Sequence, residues 1–228
     1  MKNRIINDIY SDYHMHSIFS DGTATIEEIV QYAGKLWMKE IAITEHSDFL
    51  IEKIKEDYGA TPAWGARYSL NDWENIHNDV KVIFGVEWDV LNKEWDVFLE
   101  SQRMRGEFTI LALHWNGYQS KKETATLGLL NAIERHHKDI DMIGHPWDLN
   151  HFWECIDMKE LVEVCNNYNI PMEFNMKTFI RGGDIRENLL YMLKNAKSIY
   201  VNSDAHNLSS LRRMRKDCYD FLKEQGIT

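Results

Sequence analysis

Two histidines stand two residues apart near the start of the chain, in the stretch Asp12-Tyr13-His14-Met15-His16-Ser17. On an extended segment, side chains two apart point the same way, so His14 and His16 would converge on one point, as metal ligands do. Alone, such a pair is as readily two polar residues on a solvated face. Further along, Glu45 with His46, Glu87, His114, His145, Glu173 with Asn175, and Asp204 with His206 each lie at the end of a short apolar or β-branched run. Imidazole and carboxylate without thiolate suit zinc, manganese or iron, and these groups outnumber what one ion can use. Two or three divalent ions are implied, with a carboxylate such as Glu87 free to bridge a pair. Closely spaced ions lower the pKa of a shared water and clamp the attacking and leaving oxygens of an in-line displacement. Hydrolysis of a phosphoric ester is the natural use of such a site.

The elements that must position these groups follow from the pattern between them. Candidate strands cover residues 9–16, 40–46, 80–88, 108–115, 141–146, 171–177 and 198–206. Ile26, Ile29, Val30, Ala33, Leu36 and Trp37 keep to one face of a helix, behind a Thr25-x-x-Glu28 capping box. Asp157 with Glu160, and Asp184 with Glu187, mark two further helix starts, and a weaker helix is expected over 69–79. Seven strand–helix units in succession imply parallel strands joined by helical crossovers. The pattern alone does not separate an open doubly wound sheet from a closed barrel. At 228 residues the chain is short for eight complete units, and a seven-unit barrel fits. In either arrangement the active site forms at the carboxyl ends of the strands, and six of the ten histidines fall there.

Composition is that of a folded globular protein, 44% hydrophobic and 27% charged, with no linker, so one domain spanning 1–228 is expected. The formal net charge of −10 argues against binding extended nucleic acid, which calls for a basic surface. It leaves room for a small phosphorylated substrate, because bound cations reverse the local sign. Cys155, Cys165 and Cys218 are far apart and odd in number, which disfavours a disulfide framework or a thiolate zinc site. No apolar run approaches membrane-spanning length and the first residues have no apolar core of a leader, so no membrane partner and a cytoplasmic location are expected.

The motifs DYHMHS with FSDG, then TEH, LHW, GHP, EFN and NSDAH, resemble in order those of the PHP (polymerase and histidinol phosphatase) superfamily, from about Asp12 to His206. The resemblance implies an α/β fold, a distorted seven-stranded (β/α)7 barrel of the TIM-barrel kind, with a trinuclear metal centre and phosphoesterase activity. It assigns His14, His16, Glu87 and Asp204 to a first ion, Glu87, His114 and His145 to a second, and Asp21, His46 and His206 to a third. Glu87, His206 and Arg181 take catalytic roles, in a reaction where hydroxide held between ions attacks phosphorus. The family usually reads TDH where this chain has Thr44-Glu45-His46, and the extra methylene places Glu45, like Asp12, beside the ligands. For Asp12 two roles stand open, fixing a ligand imidazole or supporting the turn. A non-catalytic metal-binding module and a histidinol-phosphate phosphatase are the alternatives within the family. An amidohydrolase-like C–N hydrolase fits the closing SDAH poorly.

Outside the motifs, Trp115 and Trp147 follow ligand candidates and would wall the cleft, and His151 could line it. His77, His136 and His137 read as solvated helix positions. Arg181, in FIRGGD, offers a guanidinium suited to bidentate phosphate binding, with Lys177 the weaker alternative. Arg181→Ala should therefore raise KM for phosphomonoesters without loss of metal. A charge-assisted hydrogen bond of about 1.5–3 kcal/mol corresponds to a roughly ten- to hundredfold fall in kcat/KM. Unchanged kinetics on every phosphorylated substrate would return Arg181 to the surface.

Overall fold

Parallel pairing of the apolar runs, with helices returning the chain between them, organises the molecule. The computed structural model describes residues 4–59, 79–146, 152, 155–176 and 185–227. Its strands are β1 (Arg4–Ile5), β2 (Ser11–Asp12), β3 (Glu40–His46), β4 (Lys81–Val90), β5 (Val97–Phe98), β6 (Phe108–Ala112), β7 (Met142–Ile143), β8 (Met172–Phe174) and β9 (Ser198–Val201). Six helices lie between and after them: α1 (Ile26–Lys35), α2 (Asp48–Tyr58), α3 (Ala125–His136), α4 (Met158–Tyr168), α5 (Ile185–Asn195) and α6 (Leu208–Glu224).

The sheet runs β1-β9-β8-β7-β6-β4-β3-β2, all parallel, with β5 antiparallel on β4. The N-terminal segment sits at both ends of this order, since β1 pairs with β9 and β2 with β3. It continues to a bridge between Met15 and Ala205, and His16 N–H donates to the Ala205 carbonyl at 2.9 Å while Thr44 N–H donates to Met15 at 2.9 Å. The first segment thus draws the sheet into a nearly closed barrel of seven parallel strands, β2, β3, β4, β6, β7, β8 and β9. The seven expected strand regions are all present, most of them shorter than their apolar runs. β1 and β5 are additional two-residue strands with no periodic signal to announce them.

Two helix starts match their sequence signals. Thr25 accepts from Glu28 N–H while the Glu28 carboxylate accepts from Thr25 N–H, the reciprocal box that opens α1. Asp157 accepts from Lys159 and Glu160 N–H at the start of α4. The third, at Asp184, and the helix expected over 69–79, save Asp79, fall outside the described residues.

Strand alternation divides the interior from the shell. Val86, Trp88, Leu111, Ile143, Met172, Phe174, Ile199 and Val201 point outward and form the main core with α3 to α6. Ala42, Phe108, Ile110 and Met142 point inward, with Tyr13, Ile83 and Tyr200 against them. Tyr13, Phe108 and Tyr200 pack with ring centroids 5.2–5.8 Å apart and floor the barrel. Above this floor the inward positions turn polar.

Gly85 lets β3, β4 and β6 close up just below Glu87: a Cβ there would lie 2.4 Å from Thr44 Cγ2 and 2.8 Å from the Phe108 carbonyl oxygen. Gly85→Ala should destabilise the fold by about 1–3 kcal/mol, as overpacking does. Denaturant unfolding measures this, and an unchanged midpoint would mean that the strands spread at no cost.

Candidate metal centre

The in-register pairing of β3 with β4 sets His46 beside Glu87. Both point into the barrel above its aromatic floor. His14 and His16 enter from the closing segment, and His114, His145, Asp204 and His206 from just beyond β6, β7 and β9. Asp21 comes from the loop that follows the closing segment. The nine residues assigned to metal by resemblance form four overlapping sets, each with ligand atoms within 4.8 Å of one another: His16–Asp21–His46–His206, His14–His16–Asp204, His14–Glu87–His145, and His46–Glu87–His114. This grouping differs from the implied division among ions. Asp21, His46 and His206 stay together as implied but are joined by His16, His46 is also grouped with Glu87 and His114, and His145 is grouped with His14 and not with His114. All are buried except His114, whose side chain is 19% exposed.

The spacings suit ions. Two ligand atoms about 2.0–2.1 Å from one ion lie roughly 2.9–3.4 Å apart, depending on coordination geometry. Asp21 Oδ1 lies 3.2 Å from His206 Nε2 and 3.4 Å from His46 Nε2. Glu87 Oε1 lies 2.9 Å from His145 Nε2, 3.4 Å from His114 Nε2 and 3.5 Å from His14 Nε2. Glu87 Oε2 faces His46 Nδ1 at 2.7 Å and His16 Nε2 at 3.7 Å. Asp204 Oδ1 lies 3.5 Å from His16 Nε2. Several of these atoms make no hydrogen bond although they are buried: His14 Nε2, His16 Nε2, Asp21 Oδ1, His46 Nδ1 and Glu87 Oε2. Buried polar atoms are rarely left unpaired, so lone pairs aimed at shared points fit divalent cations.

Buried carboxylates behind the ligands fix them. Glu173 accepts from His14 Nδ1–H at 2.8 Å, from His145 N–H at 2.8 Å, and from the side-chain amides of Asn175 and Asn202 at 3.1 Å each. Asp89 lies 2.5 Å from His114 Nδ1 and also accepts from the Ser47 hydroxyl. Both acids leave Nε2 of their histidine facing the cluster. Glu173 was visible at a strand end, but its pairing with His14 depends on barrel closure. Asp89 belongs to no motif, but it follows Glu87 by two residues and so shares its face. Of the two roles open for Asp12, the backbone one holds: it accepts from His14 N–H at 3.1 Å and Ser203 N–H at 3.3 Å, with Arg215 Nε 3.9 Å away. Glu45 belongs to none of the four sets and accepts from Ser17 and Ser20. His145 and Asp204 hold left-handed backbone, φ 22° and 47°, a strain typical of functional sites. Arg181, Lys177, His77, Trp147 and His151 lie outside the described residues. Trp115 is 56% exposed. His136 and His137 are partly buried on α3 and just past its end, where a solvated position was expected, because His137 stacks on Tyr168 and His136 meets Trp88 edge to face.

Mutual neutralisation governs the charges. Burial disfavours protonated His14 and His46, yet for His14 the carboxylates of Glu173, Glu87 and Asp204, and for His46 those of Asp21 and Glu87, lift the pKa well above the ordinary value. His114 is lifted to about 9 as Glu87 and Asp89 overcome its burial. Burial and the charges of His46 and His206 push His16 well down. Burial would raise Asp21 and Glu87, but the surrounding imidazoles hold both well below the carboxylate range. Burial raises Asp12 to about 6 against the pull of Arg215.

A family model described as PHP domain matches residues 12–181. The DNA polymerase/3'-5' exonuclease PolX of Bacillus subtilis (strain 168) is 25% identical over 221 residues, covering 92% of this chain but only 36% of that protein's length, so the chain spans about a third of it. A probable phosphatase of Shewanella pealeana is 24% identical, over 88% of this chain and 78% of that protein. The crystal structure of a histidinol phosphate phosphatase from Lactococcus lactis, complexed with zinc, L-histidinol and phosphate, has the same fold: TM-score 0.55 at 17% identity, covering 96% of this chain and 94% of that one. No helix among the described residues is long and apolar enough to cross a membrane.

In chelated protein the carboxylates around His14, His46 and His114 favour their protonated forms, so metal binding should displace protons. Loading with zinc or manganese at pH 7 should release protons, seen as a buffer-dependent enthalpy in calorimetry, and affinity should rise with pH towards about 9, where His114 loses its proton unaided. The raised pKa of His114 stabilises the chelated fold fully below its ordinary value of 6.5, and that stability is lost as pH rises through about 9. Metal uptake without proton release would contradict this charge arrangement.

Proposed function

We propose that this chain, which belongs to the PHP domain family over residues 12–181, is a metal-dependent hydrolase of phosphoric esters that acts on a small phosphorylated metabolite. The observation that carries the reading is the convergence of buried, unpaired ligand atoms on shared points above the barrel floor. Probable phosphatases among the relatives support it. Two or three divalent ions of zinc, manganese or iron, when bound, would supply a nucleophile from water at neutral pH and neutralise charge on the phosphoryl oxygens.

The chain's own residues divide the remaining work. Glu87 directs Oε1 towards His14, His114 and His145 and Oε2 towards His16 and His46, so each of its two oxygens would serve a different group of histidines when metal is bound. Asp204 and Asp21 serve the flanking sets. His206 Nδ1 lies 3.0 Å from the Asp204 carbonyl oxygen, which requires the proton on Nδ1 and leaves the Nε2 lone pair for ligation. Ligation is thus the role we assign to His206 among its expected functions. Arg181 is the residue we assign to a phosphate oxygen. Glu173 and Asp89 hold imidazole orientation.

A phosphodiester substrate is the second reading, favoured by similarity over 92% of the chain to a protein named for exonuclease activity. Parallel turnover of p-nitrophenyl phosphate and bis-p-nitrophenyl phosphate by metal-analysed protein separates monoesterase from diesterase. Full metal content with hydrolysis of neither would favour a binding module. In Glu87→Gln, two cations would face one another with less compensating charge. Its metal stoichiometry should fall by at least one ion, and turnover should fall even at saturating substrate. A variant with full metal content and unaltered turnover would break the cluster at its centre.

A further inference from the structure

Glu45 precedes the candidate ligand His46 on β3, yet strand alternation turns it to the opposite face from Thr44 and His46. It is 1% exposed, and its carboxylate is spent on the loop after the closing segment. Ser17 N–H donates to both carboxylate oxygens at 3.2 Å, the Ser17 hydroxyl to Oε1, and the Ser20 hydroxyl to Oε2. Ser17 is in turn the node of that loop. Its carbonyl accepts from Ser20 N–H at 3.1 Å and Gly22 N–H at 2.9 Å, and its hydroxyl oxygen accepts from Phe19 N–H at 3.2 Å. At the far end Thr23 N–H and its hydroxyl donate to the His206 carbonyl oxygen, at 2.9 and 3.2 Å.

Asp21 hangs between these two fastenings. Gly22 presses the loop onto the His16 backbone, where a Cβ would lie 2.3 Å from the His16 carbonyl oxygen. Asp21 thereby supplies the only carboxylate to the set it forms with His16, His46 and His206, and its Oδ1 is buried without a hydrogen bond. The other three sets draw their carboxylates from Glu87 and Asp204, which this loop does not carry.

We propose that Glu45 is a positioning residue that latches the 17–22 loop and so sets the metal affinity of the Asp21 set independently of the other sets. The proposal deepens the function above and rests on it for the nature of the ligand. Without the latch, the Ser17 and Ser20 donors lose a buried charged acceptor and Asp21 loses its fixed approach. Loss of such an outer partner costs about 10- to 100-fold in metal affinity.

The test titrates chelated wild-type protein, Glu45→Gln, Ser20→Ala and the double variant with zinc alone and with manganese alone. Bound ions are counted by equilibrium dialysis with elemental analysis, and folding is followed by circular dichroism. Ser20→Ala removes one hydroxyl and leaves the buried carboxylate in place, so it reports on the latch even where Glu45→Gln folds poorly. One ion should bind about 10- to 100-fold more weakly in each single variant while the others keep wild-type affinity. The double variant should be no weaker than the more severe single, as expected of residues in one linkage, and excess metal should restore full stoichiometry. Unchanged affinity for every ion, equal weakening of all ions, or additive losses in the double variant would overturn the proposal. Because the readout is binding, wild-type protein that loads metal but hydrolyses no ester defeats the proposed activity and leaves this test intact. Wild-type protein that binds no divalent ion defeats both.

Discussion

An ionisable group buried away from water must be neutralised by its neighbours, and the upper half of this barrel is built around that requirement. His14, Glu87 and Glu173 have no exposed surface, and His16, Asp21, His46 and Asp204 have almost none. Their charges interlock: carboxylates lift His14 and His46, while imidazoles hold Glu87 and Asp21 down. No single member can be removed without leaving another uncompensated. The same crowding of lone pairs that is costly in an empty pocket becomes favourable around divalent cations, so metal affinity and fold stability are linked here.

The barrel accommodates this charge by separating it from the apolar interior along the strand direction. Tyr13, Ala42, Phe108, Ile110, Met142 and Tyr200 fill the lower layer, and two inward positions beyond Ala42 on β3 and Ile83 on β4 the filling has changed to His46, Glu87 and their partners. Outward positions on the same strands are mostly apolar and pack on the helices. A strand such as β3 therefore has three kinds of position: outward apolar, inward floor and inward ligand. Glu45 is the exception on the outward face. It is a buried acid held by serine donors on a neighbouring loop.

Precision at the ligands comes from groups that touch no ion. Glu173 joins imidazole and amide groups from the closing segment, β7, β8 and β9, and Asp89 steers His114. Asp12 ties the backbone ahead of His14 to the backbone ahead of Asp204, backed by Arg215 from α6. Such outer partners come from several elements, so the site is a property of the closed barrel and of no single strand. The match to the PHP domain over residues 12–181 fits this view, since a solved structure with the same fold shares only 17% of its sequence with this chain.

The local pattern of the chain determined the strand–helix alternation, the capping box at Thr25, the N-cap at Asp157, and eight of the nine ligand-type residues, which lie at or just beyond strand ends; Asp21, in a loop, came from the resemblance. These are legible because period-two and helical spacing, and the chemistry of His, Asp and Glu, are written within a few residues of one another. Tertiary structure alone decided which residues meet. The separation of 159 residues between His14 and Glu173 holds no periodic signal, and their contact exists only because the first segment closes the sheet against β9. The turn of Glu45 away from the ligands depends likewise on the loop that packs behind β3, and the grouping of ligands on the crossing of seven strand ends. Side-chain type is a local property of the sequence, whereas the direction and company of a buried charge are set by chain closure, which pairs residues far apart in sequence.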